Sequence, residues 1–266
     1  NYWPLNDEVA VGNFLMNYLL TIDDNVVSSL WGDEDWYGDA IFYVEAGYWA
    51  EVDPSTHFTE AYATVNGEIS VSDNEVTQQN GDLTLLYLYD WYGAEKTGVM
   101  DVNVDIAVED NVFEVVYEDY MGWYTDFGMY FEDYAYLVGN YDIATDEPIV
   151  WADVSWSVTD NEITGIMDNG IAMIQETYIS SPDCKLMQTF NADISGNTID
   201  GATEGGLGYV LSRNEGTNGY VELNVDLNIE DNIITMSSMD VTTRRMQFSG
   251  VVVGFGGSEP GLEVEM

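Results

Sequence analysis

The chain has 266 residues, 49 of them acidic and five basic, for a formal net charge of −44, yet 46% of it is hydrophobic and 14% aromatic. Disordered acidic chains lack apolar surface to bury, so this composition specifies a folded core beneath a strongly anionic surface. Five cations (Lys96, Lys185, Arg213, Arg244 and Arg245) exclude a phosphate track, the longest apolar runs are too short to span a bilayer, and one cysteine with one histidine excludes an intrachain disulfide and a closed zinc site.

The first 39 residues read as an apolar and acidic extension. Residues 7–20 fit a helix capped at Asn6 with acids in its first turn. The same stretch alternates, with Ala10, Gly12, Phe14, Met16, Tyr18, Leu20 and Ile22 on one face. We prefer the helix as local structure. The strand is the form that a donor-strand subunit lends to a neighbour, which makes Phe14, Met16, Tyr18 and Leu20 candidate assembly residues. An acidic loop, Asp33-Glu34-Asp35, follows beside Trp31, Trp36 and Tyr37.

Residues 40–258 are dominated by period-two alternation, and 259–266 form an acidic tail. Phe42, Val44, Ala46, Tyr48, Ala50 and Val52 share one face, and residues 101–109 and 221–230 alternate strictly. Such segments read as half-buried antiparallel strands. Polar corners recur between them, with Asn74, Asn111, Asn161, Asn197 and Asn232 at spacings of 37, 50, 36 and 35. Asp-Asn and Gly-Asn tolerate positive φ, so each corner reads as a hairpin turn. The expectation is an all-β domain, an antiparallel sandwich, jelly roll or up-and-down barrel built from hairpins. The repeat matches no solenoid consensus.

His57 has no nucleophile elbow or cysteine signature to serve, so no catalytic residue is assigned and the protein reads as a non-enzyme. Calcium suits the acidic surface best. Candidate ligands are Asp33, Glu34 and Asp35, then Asp101, Asn103 and Asp105 on one strand face, and Glu222 and Asp226 on another. If the last two strands pair, their carboxylates form a ladder that cations must bridge. Acids among aromatics also fit a glycan site, with Trp31, Trp36, Trp91 and Trp123 as stacking residues.

The chain begins at Asn1, is depleted in basic residues and has no Asn-X-Ser/Thr sequon. These features lead us to expect a prokaryotic protein, extracellular or at the cell surface after leader removal. A halophile cytoplasm is the main competing explanation of the acidity. The functional expectation is a non-catalytic subunit of a fibre, pilus-like filament or surface layer. Its partners would be copies of itself and divalent cations, with no nucleic acid and no membrane span. The alternative is a secreted calcium-dependent carbohydrate-binding module.

Overall fold

The computed structural model describes residues 10–29, 40–51, 58–79, 84–96, 98–116, 125–138, 147–180, 184–215, 219–236 and 249–257. These residues form strands joined in six successive coils. The first coil holds β1 (Ala10–Asp23), β2 (Val26–Ser29) and β3 (Ala40–Glu51). The second holds β4 (Phe58–Ser72), β5 (Glu75–Gln79) and β6 (Thr84–Glu95). The third holds β7 (Gly98–Glu109), β8 (Val112–Val116) and β9 (Thr125–Val138). In the next two coils the second and third strands fuse, giving β10 (Ile149–Thr159) with β11 (Glu162–Ile179), and β12 (Lys185–Ser195) with β13 (Thr198–Glu215). The last holds β14 (Tyr220–Glu230), β15 (Ile233–Met236) and β16 (Ser249–Gly257).

Each strand pairs in parallel with its counterpart in the neighbouring coil. One sheet has the order β1-β4-β7-β10-β12-β14; the second contains all the other strands. The molecule is therefore a stack of coils, a parallel solenoid, and the antiparallel sandwich, jelly roll or barrel expected from the sequence is overturned. Alternation reports a half-buried face and does not distinguish parallel from antiparallel partners. The expected N-terminal helix is likewise corrected: residues 10–23 form β1, which lies along β4 over its whole length.

The corners explain why the chain coils where hairpins were expected. Asp24, Asp73, Asp110, Asp160 and Asp231 have φ between 53° and 56°, and Gly196 has 68° at the equivalent place. One left-handed residue turns the chain from the first sheet into the second without reversing it. The asparagine that follows points inward. Asn74, Asn111, Asn161 and Asn197 are all at most 1% exposed and form a ladder along the stack axis. In each step, one asparagine gives its backbone N–H and its Nδ2 to the Oδ1 of the next, at 3.0–3.1 Å and 2.9–3.0 Å. Each Nδ2 from Asn74 onward also donates to a carbonyl of the preceding coil, that of Ile22, Val71, Val108, Val158 or Ile194.

The left-handed corner makes a simple prediction. Asp160→Gly leaves stability within about 0.5 kcal/mol of the parent, because Gly196 already serves at that position, whereas Asp160→Val costs about 1–2 kcal/mol. Urea midpoints of the two variants check this.

Apolar rows run through the interior from coil to coil. Along the first sheet one row is Leu20, Ile69, Ile106, Trp156, Ala192 and Leu227, and another is Ile22, Val71, Val108, Val158, Ile194 and Ile229. The inner members of the four middle coils are fully or almost fully buried. Each large side chain so placed contributes about 1.5–3 kcal/mol of transfer free energy. Phe131 meets Trp156 edge to face at 5.2 Å across the two sheets.

Candidate functional site

The two ends of the stack differ from its middle. Among the described residues β1 pairs only with β4, and β14 only with β12, so each first-sheet end presents an open edge. The inner residues at these ends are incompletely covered. Phe14 is 59% exposed, Met16 37% and Leu20 39%, while Val221, Leu223, Val225, Leu227 and Ile229 are only partly buried. The structure thus gathers the sequence-predicted assembly residues Phe14, Met16, Tyr18 and Leu20 on the inner face of β1. Tyr18 lies across Gly67, where a Cβ would strike its ring, and its hydroxyl meets that of Tyr48.

The corner hydrogen bonds end in complementary groups. At the first end, the Oδ1 of Asn25 accepts no hydrogen bond among the described residues, although every later Oδ1 in the ladder accepts two. At the last end, the N–H of Asn232 has no asparagine to donate to, and its carbonyl lacks the N–H that Asn25, Asn74, Asn111, Asn161 and Asn197 each receive at 2.8 Å from the next coil. One end offers an acceptor where the other offers donors. The exposed apolar residues Val26 (76%) and Ile233 (62%) stand just beyond these two asparagines.

The proposed metal residues are not brought together. Asp33, Glu34 and Asp35 lie outside the described residues. Asp101, Asn103 and Asp105 are exposed on β7, and Glu222 and Asp226 are exposed on β14. β10 and β12 separate those strands, so the carboxylate ladder expected from their pairing does not form. A groove of about 370 Å³ crosses this outer face over the register row Asp105, Ser155, Asn191 and Asp226. Its terminal acids are three strand spacings apart, roughly 14 Å, too far to bridge one cation. Among the described residues no group of three or more Asp, Glu, His or Cys could hold a metal.

Of the glycan candidates, Trp31, Trp36 and Trp123 lie outside the described residues, and Trp91 is on the outer face of β6. Its Nε1 donates to Glu45 at 3.1 Å and its ring covers Gly47. It belongs to an aromatic face on β3, β6, β9 and β11. There Tyr87 meets Tyr43 at 5.2 Å and Tyr130 at 5.0 Å, both edge to face, and Tyr136 stacks on Tyr178 at 4.9 Å. These rings pack on one another along the stack axis, as an intramolecular ladder does.

One site was not read from the sequence. Asp90 on β6 and Asp133 on β9 are register partners on the inner face, and both are buried. Asp133 accepts from Gln188 Nε2 at 2.7 Å and from the Tyr92 hydroxyl at 3.5 Å. Burial pushes its carboxyl up to about 7, partly countered by those bonds and by Gln175. Burial, and then the neighbouring Asp133, hold Asp90 well above the usual carboxylate range. The only sequence signal was a break in pattern: an acid at an inner position of each alternating strand.

No protein-family model matches the chain, and neither does any curated protein or any solved structure. No helix among the described residues is long and apolar enough to cross a membrane.

Proposed function

We propose that the protein is a structural subunit that polymerises head to tail, the β14 end of one copy adding to the β1 end of the next. The observation that carries this reading is the match of the two open ends. In the first sheet every coil junction keeps residues equally far from the corner asparagine in register, as Asp23 with Ser72 and Glu109 with Thr159 show. The same rule places Val221 on Phe14, Leu223 on Met16, Val225 on Tyr18, Leu227 on Leu20 and Ile229 on Ile22 of the next copy. All five inner pairs are apolar. The rule also brings the Asn232 N–H and Nδ2 to the Asn25 Oδ1, and the Val26 N–H to the Asn232 carbonyl. Five apolar pairs and a continued ladder fit a heterologous, non-closing contact, which generates filaments.

Charge opposes the contact. Subunits of net charge −44 repel, and the same register sets Glu230 beside Asp23. Polymerisation is therefore expected to need salt above about 0.1 M, where the Debye length falls below about 10 Å. Electron microscopy of the purified chain then shows filaments with an axial repeat of about 29 Å, six coils at roughly 4.8 Å each. Leu227→Asp buries an unpaired charge in the junction and raises the critical concentration at least about 100-fold, with an unchanged β circular-dichroism spectrum. Ile233→Asp, on an exposed position, weakens growth about 10-fold. Monodisperse particles at all salt concentrations, or filaments indifferent to both substitutions, would overturn the head-to-tail reading.

A further inference from the structure

Asp90 has no hydrogen-bond partner among the described residues, and Asp133 is only partly satisfied. Their strands are adjacent and parallel, so the two backbones are about 4.8 Å apart and the two carboxyl groups share the inner face. Both Asp90 oxygens and Oδ1 of Asp133 are buried without a hydrogen bond, and so is Oε1 of Gln188, whose Nε2 already grips Asp133. Four bare oxygens from three residues thus belong to one buried neighbourhood. Their unmet hydrogen-bonding capacity, in side chains at most 1% exposed, is an observation separate from the pairing of two acids. Buried charge of this kind is ordinarily neutralised by an ion partner or by protonation. No described lysine or arginine side chain faces the pair. Lys96 and Lys185 are at the surface on Glu51 and Glu147.

We propose that Asp90 and Asp133 hold one calcium ion inside the coil stack, with Gln188 Oε1 completing the protein ligands. Two carboxylates match the charge of a divalent cation. The ligand set is all oxygen, as calcium requires, and carboxylates bind calcium through one or both oxygens, so an imperfect polyhedron is tolerated. Magnesium demands near-ideal octahedral geometry, which three side chains fixed on separate strands do not provide. The ion would bridge the second and third coils through β6 and β9 and reach across the interior to Gln188 on β12. The inference is independent of polymerisation, since both residues lie within one chain away from its open ends.

Asparagine at either position keeps the shape and removes the charge, so the test does not depend on a variant that cannot fold. Thermal unfolding of the whole chain is followed at pH 7.5 in calcium chloride and in EDTA, with sodium chloride added to equal ionic strength. In the parent, calcium at 100 times its Kd raises Tm by roughly 5–10 °C over EDTA. Asp90→Asn and Asp133→Asn lose that rise. In EDTA they melt above the parent, because a buried charge has gone; in calcium they melt below it. Asp105→Asn and Asp226→Asn, on the outer face, retain the full rise. The crossover in sign is the signature of an internal site. Variants more stable than the parent in both media would show a pair neutralised by protons alone. A calcium response that survives in both variants would place the binding on the acidic surface. Either result overturns the proposal.

Discussion

Asn161→Ala is expected to destabilise the protein by about 5–7 kcal/mol, more than most single substitutions. Asn161 donates from Nδ2 to the Val108 carbonyl at 2.8 Å and to Asn197 Oδ1 at 3.0 Å, and its Oδ1 accepts the N–H and Nδ2 of Asn111 at 3.1 and 2.9 Å. Alanine removes four hydrogen bonds, each worth about 1 kcal/mol net, and leaves the Asn111 N–H and the Val108 carbonyl without these partners at a further 1–3 kcal/mol. Asn161→Asp is no rescue. It keeps the bonds from Asn111 but turns a second bare oxygen on two acceptors. Position grades the effect. Asn25→Ala, at the exposed first corner, removes only the bonds from Nδ2 to Asp23 and Asn74 and the Asn25 side-chain acceptor, and costs about 1 kcal/mol. Urea unfolding of the two variants measures the difference. Equal costs at both positions would mean that the asparagines act as separate turn residues and not as a cooperative ladder.

The asparagines also show how far the sequence could be read. Asn74, Asn111, Asn161, Asn197 and Asn232 stand out as a recurrent corner, and the apolar faces of β3, β7 and β14 are identifiable residue by residue. What alternation cannot convey is the partner's direction. An inner row such as Val71, Val108, Val158 and Ile194 serves a parallel neighbour as well as an antiparallel one. The distinguishing signal is burial of the asparagine itself. A hairpin turn exposes its polar side chain to water, whereas Asn111 and Asn197 are fully buried, and spacings near 36 or 50 are better explained as one circuit of a coil than as two arms of a hairpin. The apolar face of β1 was legible for a related reason, since Phe14, Met16, Tyr18 and Leu20 form an apolar set however β1 pairs. The internal acids were not. Asp90 and Asp133 look like any other members of an acidic composition until the register of β6 and β9 sets them side by side.

The ladder ties coils along the axis, but the two sheets must also be held against each other, and that burden falls on side chains that reach across. Phe131 and Trp156 are the clearest such pair, both at most 2% exposed, with ring centroids 5.2 Å apart at 75°. Phe131→Ala is expected to cost about 3–5 kcal/mol, since close-packed β-sheet layers collapse only partly around a missing ring. Trp156→Phe should cost less than about 1.5 kcal/mol. It loses volume, but it also removes an indole N–H that is buried without an acceptor, and the second effect offsets part of the first. A double variant that pairs Phe131→Ala with Trp156→Leu, which removes the second ring, then reports the contact itself. An edge-to-face pair contributes about 0.5–1.5 kcal/mol beyond area burial, so the two changes should fall short of additivity by about that amount. Strict additivity would mean that each ring is held by its own sheet. A Phe131→Ala cost below about 1 kcal/mol would mean that the sheets are joined mainly at the asparagine corners. In that case, Asn161→Ala should separate them as well as loosen the coils.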